Sequence, residues 1–413
     1  MKIELHLLQN FAPSNLNRDD TGAPKDCEFG GVRRARISSQ CFKRSIRQAF
    51  DLHHLFGDQT KDRLAARTKR LVSDVAERLA TTKQRDQALA FHLVAFTLQS
   101  AKLKMKEEKT QYLLFVPRRL IGVLTELVHR YWDALCAAAP PLQSATAAVV
   151  AEGAEAASEV AKGKKKGPNK AQEKATAKDA VPKEVAAAVM AAFEDTSATP
   201  DLALFGRMIA DNPDWNVDAA CQVAHALSTH RATMEFDFYT AVDDLKSTDQ
   251  AGSDMMGTVA YQSACFYRYS CLDLDALEAN LGGTDAEEAK SLTKETLGAF
   301  LRATALAIPT GKQNSMAAQN LPSYLVAVVR TGGAPQSLAN AFVRPVKATA
   351  DRSLVEVSAD ALETQLAKGL GLWGDEGVTV LRCGDVSAVA PSPPLLPSFA
   401  RWVDGIVATW ERA

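Results

Sequence analysis

Period-two alternation at the N-terminus, interleaved further on with helical stretches, sets the fold class. Ile3, Leu5 and Leu7 alternate with Lys2, Glu4 and His6, which is the mark of a β-strand. Runs rich in aromatic and β-branched residues at 233–245, "TMEFDFYTAVDDL", and 257–274, "GTVAYQSACFYRYSCLDL", predict two more strands. Further strands are expected at 324–330 and 378–382. Helices are expected across much of 60–138 and at 285–306, 360–368 and 398–411. Strands separated in sequence and mixed with helices point to an α+β fold. The chain has 413 residues, room for two or three structural units, and its hydrophobic fraction of 46% supplies a sizeable core.

Several function classes fall away early. Seven cysteines, an odd number with no C-x-x-C spacing, argue against a disulfide framework or a structural zinc site. Reduced thiols fit a cytoplasmic protein. "MKIELHLLQN" has no apolar run of the signal-peptide kind, and no stretch reaches the ~18 apolar residues of a membrane span. "PTGKQNS" is not a Walker A loop, because Leu306 and Gln313 stand where that motif needs Gly and Ser or Thr. No cofactor and no metal is expected. Cys221, His225 and His230 sit in "AACQVAHALSTH", whose apolar spacing reads as a core helix with packed histidines. Asp19-Asp20 and Asp243-Asp244 are acidic pairs of the kind metal nucleases use, and equally common turn residues.

One stretch departs from a chain whose net charge is −1. "FGGVRRARISSQCFKRSIRQ" carries Arg33, Arg34, Arg36, Lys43, Arg44 and Arg47, with no acidic residue from Gly30 to Phe50. Ser38 and Ser39 offer N-caps for a helix from about Gln40. Phe42, Ile46, Ala49 and Phe50 share one side of it, and Lys43, Arg44 and Arg47 cluster on the other. The three arginines read as a loop leading into that helix. A solvated face interleaves both signs, and this one does not. Arginine forks beside a helix start suit phosphate oxygens, so polyanion binding is the favoured reading. The turn with Lys312, Gln313 and Asn314 is a candidate backbone contact, or an ordinary polar turn. On the hairpin, alternation sends Phe236 and Phe238 to one face and Tyr239 to the other, one face being expected to pack; spacing does not decide between core packing and base stacking. Met208 in "LFGRMIAD" reads as a core filler.

"NLNRDDTGAPKDCEFGGVRRARISSQCFKRSIR" closely resembles the N-terminal segment of the CasC family, the backbone subunit of the type I-E CRISPR surveillance complex, Cascade. "LALFGRM", "QVAHALSTH", "DFYTAVDDL", "FYRYSCLDLDALEANLGG", "PTGKQNSMAAQN" and "LANAFVRPVK" follow in the same order. The resemblance covers residues 3 to about 347 and is weak around 143–183 and after 350. It implies a modified RNA-recognition-motif (ferredoxin-like) palm, a helical finger region and a projecting β-hairpin thumb. The palm would take 1–58, 201–350 and 351–413, the fingers 59–200 and the thumb about 231–272. It implies a non-enzymatic scaffold that polymerises along crRNA and presents the guide in segments to target DNA. Implied partners are crRNA, target DNA, further copies of the chain, the subunits CasA, CasB, CasD and CasE, and a recruited helicase-nuclease; no membrane is implied.

Carried over by position, Arg18, Lys25, Gln40, Lys43, Arg44 and Arg47 would contact RNA; Arg33, Arg34 and Arg36 join the expected RNA contacts on the charge reading above. Met208, Phe238 and Tyr239 would wedge against kinked nucleotides, and Lys312, Gln313 and Asn314 would touch backbone. Lys162, Lys164, Lys165, Lys166, Lys170, Lys174 and Lys178 fall where the family's lysine-rich fingers touch DNA. Alternatives are a metal-dependent nuclease using Asp237, Asp243 or Asp244, and a stand-alone RNA-binding protein.

Overall fold

The N-terminal alternation becomes a strand longer than expected, β1 (Lys2–Ser14). The other strands, in chain order, are β2 (Asp26–Phe29), β3 (Val32–Ile37), β4 (Ala65–Thr68), β5 (Met105–Lys106), β6 (Lys109–Thr110) and β7 (Leu114–Pro117). They continue with β8 (Cys221–Val223), β9 (Ala226–Ser228), β10 (Glu235–Ala241), β11 (Met255–Asp273), β12 (Tyr324–Arg330) and β13 (Val378–Gly384). The principal helices are α1 (Ser39–Leu52), α2 (Leu71–Lys83), α3 (Gln87–Ser100), α4 (Arg119–Arg130), α5 (Lys183–Glu194), α6 (Ala286–Leu306), α7 (Leu354–Trp373) and α8 (Phe399–Glu411). This computed structural model describes residues 1–101, 103–106, 109–141, 181–209, 212–241, 255–282, 285–386 and 394–412. The fold is α+β, as expected.

The chain divides into two units. The first comprises Met1–Thr60, Ala220–Ala279 and Thr284–Ala413; the second comprises Lys61–Ala219 and Asn280–Gly283. The second thus runs on to Ala219, past the expected limit at 200.

The first unit is built on an antiparallel sheet in the order β13-β12-β1-β11-β9-β3-β2, with β8 and β10 also paired to β11. Both sheet faces are covered near β1. Leu8, Tyr324, Val326 and Val328 pack with Leu362 and Leu366 of α7. Phe11, Ala264 and Phe266 pack with Phe42 of α1. Glu4 and His6, on the polar half of the β1 alternation, are therefore buried too, and each has a partner as burial requires. Glu4 Oε1 accepts from Arg330 Nε at 2.5 Å, and His6 Nδ1 lies 2.9 Å from the Tyr267 hydroxyl. Burial lowers the His6 pKa, against the pull of Glu4.

"AACQVAHALSTH" is not a helix. It forms β8 and β9, both on β11, because strands of three residues each are too short to show alternation. His230 is still a packed histidine: its Nδ1 faces Arg231 O at 2.8 Å, and its Nε2 accepts from Cys265 N at 3.3 Å.

In the second unit, Val75, Leu79, Leu93, Leu124 and Val189 of α2–α5 join one core with Phe193 stacked on Trp215 at 4.4 Å. "LAARTKRLVSDVAERLA" is helical only from Leu71; its first residues form β4, paired with β7. Among the described residues, no helix is long and apolar enough to cross a membrane.

Candidate functional site

The basic stretch folds into a hairpin followed by a helix. Residues 26–37 pair as β2 and β3 and are not the expected loop. Gly30 and Gly31 make the turn at φ 63° and 72°. A Cβ at Gly30 would collide with the Val343 carbonyl, so the turn docks by backbone approach. The helix starts as expected: Ser38 accepts from Cys41 N at 3.3 Å, and Phe42, Ile46, Ala49 and Phe50 are buried. Gln40 and Arg44 are exposed, while Lys43 and Arg47 are half-buried.

The hairpin sorts the three arginines. Arg33 is exposed and ion-paired with Asp26, so the cationic run is partly compensated from just outside it. Arg36 is half-buried and reaches the Asp26 carbonyl at 3.2 Å and His225 Nδ1 at 3.0 Å. Burial, and then the Arg36 charge, lowers the His225 pKa, leaving a neutral acceptor for that guanidinium.

Arg34 corrects the expectation that all three face a polyanion. It is 0% exposed. Its guanidinium donates to the carbonyls of Phe29, Ser228, Thr229, Phe342 and Val343 at 2.7–3.3 Å. It is a structural tie.

The loop after β1 is fastened to this assembly. Asp19 accepts from Thr21 N at 2.9 Å, the Thr21 hydroxyl at 2.8 Å and Ala23 N at 3.0 Å, the turn role that competed with metal binding. These bonds, the Thr21 hydroxyl first, hold its carboxyl below the usual range. The Asn17 carbonyl accepts from Lys25 N at 2.9 Å, and its side-chain oxygen accepts from Ser38 N at 2.8 Å. One asparagine thus ties the loop to the start of α1.

Gly311 supplies the third tie. A Cβ there would collide with the Leu16 carbonyl and lie 2.7 Å from the Asn15 carbonyl. Lys312 follows in the left-handed region, at φ 52°. The Gln313 amide donates to Pro309 O at 3.0 Å and Ala318 O at 3.2 Å, so it braces its own turn and does not reach outward. Asn314 is exposed. Exposed Arg18, Gln40, Arg44 and Asn314, with half-buried Lys25 and Lys312, therefore ride on three segments locked to one another. Asn17 and Gly311 carry no mark of these ties in the sequence, although "NLN" and "TGK" stand inside the motif-bearing stretches.

β10 and the start of β11 form a two-stranded arm. Phe236, Phe238 and Tyr239 are 67%, 63% and 43% exposed, so neither face of β10 packs as one had been expected to. Phe236 and Phe238 stand opposite Ala260 and Thr258, with exposed Met256 on the same face. Tyr239 stands opposite Gly257, and a Cβ on that glycine would come within 2.6 Å of the Tyr239 hydroxyl. The ring lies where a side chain would be. Asp237 is exposed on the arm, and Asp243 and Asp244 lie outside the described residues.

In the second unit Met208 is 86% exposed and is not a core filler. Its neighbours hold it outward. Arg207 and Val217 exchange backbone bonds at 2.9 Å, and Ile209 N donates to Asn216 Oδ1 at 2.6 Å. Buried Arg207 also donates to Trp215 O and Phe193 O, and burial brings its pKa down to about 10. Gly206, at φ 71°, lets this backbone approach the Val217 carbonyl. The seven lysines from Lys162 to Lys178 lie outside the described residues. Among the described residues, no group of three or more His, Cys, Asp or Glu is placed to hold a metal ion.

Comparison with known proteins adds whole-chain likeness. The sequence model of a family described as CT1975-like protein matches residues 3–392. A solved chain of a CRISPR RNA-guided surveillance complex in a pre-nicking state is 28% identical, covers 99% of both chains and superposes with a TM-score of 0.74. A chain of another CRISPR RNA-guided surveillance complex is 24% identical over 99% of both chains, with a TM-score of 0.66, and shows the shared fold. No curated protein matches the sequence.

Proposed function

The chain belongs to the family described as CT1975-like protein, and from that premise we propose that it is the RNA-binding backbone subunit of a CRISPR surveillance complex. One observation carries the reading. On a chain that shares its full length with a surveillance-complex subunit, Gly311 and Asn17 lock a cationic loop, helix start and turn into one surface. Cations on a fixed frame grip phosphates without reading bases, and a guide whose sequence varies needs that kind of grip. Arg18, Lys25, Gln40, Lys43, Arg44, Arg47, Lys312 and Asn314 are the proposed contacts, with Arg33 and Arg36 at their edge. Arg34 and Gln313 brace the surface from behind.

The finer reading is a type I-E, CasC-like subunit that polymerises along crRNA with other Cascade subunits and lacks nuclease activity of its own. The β10–β11 arm and Met208 then separate the guide into segments that pair with target DNA. Co-expression with a CRISPR array tests this. A discrete repeat-derived RNA carrying several copies of the chain, protected at regular intervals, is the expected product. Mixed cellular RNA, or none, would overturn the reading.

A further inference from the structure

One buried cation lies beneath the candidate site among neutral partners. Arg268 stands on β11 opposite Leu7 of β1 and is 5% exposed. Its Nη1 donates to Gln9 Oε1 at 2.6 Å, its Nη2 donates to Thr304 O at 2.6 Å, and the guanidinium lies over the Phe42 ring at 4.1 Å. Burial brings its pKa down to about 9, so it stays charged at neutral pH. Thr304 O is among the carbonyls that the end of α6 leaves without an intrahelical donor, and a cation is a favoured partner there. Gln9 passes the bond on. It is fully buried, and its Nε2 donates to Asn320 O at 2.6 Å, while Asn320 Oδ1 accepts from Ala12 N at 3.2 Å. The segment from Thr304 to Asn320 is therefore held at both ends by one guanidinium, directly at the first and through Gln9 at the second. That segment contains Gly311, Lys312 and Asn314. The third contact, Phe42, is next in sequence to Lys43 and Arg44 of α1.

We propose that Arg268 is a positioning residue for RNA: through Gln9 and Thr304 it sets where Lys312 stands relative to the cations of α1, and it touches no nucleotide itself. The proposal rests on the functional reading above, which makes Lys312 a phosphate contact. Desolvation offsets much of what a buried charge gains, so stability is a weak account of this guanidinium. Its planar fork meets two acceptors in fixed directions, which neither a lysine nor an apolar side chain does. Cations held at a set spacing also spare the cost of ordering them when the strand binds.

The test is a set of double-mutant cycles on the full chain, with single-stranded RNA of mixed sequence titrated at four salt concentrations from 50 to 200 mM. In the wild-type background Lys312→Ala is expected to lower the salt slope by about 0.7, so the wild type loses about 2.6-fold more affinity than the variant over that range. In Arg268→Met and in Gln9→Glu the slope starts about 0.7 lower, and adding Lys312→Ala removes nothing further. Gln9→Glu keeps an acceptor for Arg268 and loses the donor to Asn320 O, so it reports on the turn if Arg268→Met fails to fold. Arg44→Ala remains worth about 0.7 in every background. Equal effects of Lys312→Ala in all backgrounds would leave Arg268 a role in stability alone and overturn the proposal. So would a Lys312→Ala that changes nothing in the wild type. Loss of the Arg44→Ala effect together with that of Lys312→Ala would mean general disorder of the surface and overturn it as well. A wild-type chain that binds no RNA at any salt overturns the functional reading, and this proposal with it.

Discussion

Two arginines ten residues apart, Arg34 and Arg44, are expected to fail in opposite ways. Arg34→Met keeps the aliphatic bulk and removes the donors. Five carbonyls then lose a charged partner that stood at 2.7–3.3 Å. At about 1.5 kcal/mol per bond to a charged group the loss sums to roughly 7 kcal/mol. Relief of the guanidinium's desolvation returns several kcal/mol, leaving a net destabilisation of about 3 kcal/mol. For a unit of this size that lowers the melting temperature by about 6–12 °C. Arg44 is exposed, so Arg44→Met changes stability by less than about 0.5 kcal/mol. Its effect falls on RNA, where the salt slope of binding drops by about 0.7, the value of one single-strand phosphate. Thermal melting of the RNA-free chain and a salt titration of RNA binding, run on both variants, separate the two roles. The opposite assignment would follow if Arg34→Met melted with the wild type and lost a phosphate's worth of slope. Arg34 would then meet RNA, and the carbonyl cage would not hold it in solution.

Arg18→Ala combined with Arg44→Ala is expected to reduce the RNA salt slope by about 1.4, equally for unrelated RNA sequences; filter binding at four salt concentrations measures it. Gly311→Ala drives a methyl into the Leu16 carbonyl, with an expected stability cost of about 1–3 kcal/mol and weaker RNA binding; denaturant unfolding and the same filter assay check both. His6, His225 and His230 all have lowered pKa values, burial being the first cause in each. The unfolded chain therefore takes up protons near pH 6.5 that the folded chain refuses. Stability is fully present above that pH and falls as pH drops below it, so melting at pH 7.5, 6.5 and 5.5 is expected to decline, with His6→Asn flattening the trend.

Much of the frame was legible because its signals are local. β12 was marked by its apolar run, and α1 by Ser38 and by the spacing of Phe42, Ile46 and Phe50. What escaped depends on register or on distant chain. Nothing in "VRRAR" distinguishes Arg33 from Arg34; pairing with β2 and closure by residues 228–229 and 342–343 do so. Cys221 and His225 mimic a helical spacing because a three-residue strand and the short link after it happen to place them four apart. The exposure of Met208 comes from bonds between 207–209 and 215–217, which no periodicity reports. Gly311 looked like part of a polar turn, and its meaning lies in carbonyls nearly 300 residues earlier.

β11 belongs to two structures at once. From Gln262 onward it is paired with β1 in the sheet, and from Met255 to Tyr261 it is half of the two-stranded arm. The arm continues a strand of the sheet, so its geometry behaves as a ruler with a phase. Deleting one cross-strand pair at the arm's base, Glu235 with Tyr261, shortens it by ~3.3 Å and also exchanges its faces, turning Phe236 and Phe238 to where Tyr239 had been. Deleting two pairs shortens it by ~7 Å and restores the original facing. For whatever the arm touches, odd and even deletions are different experiments: an even one changes reach alone, and an odd one changes reach and chemistry together.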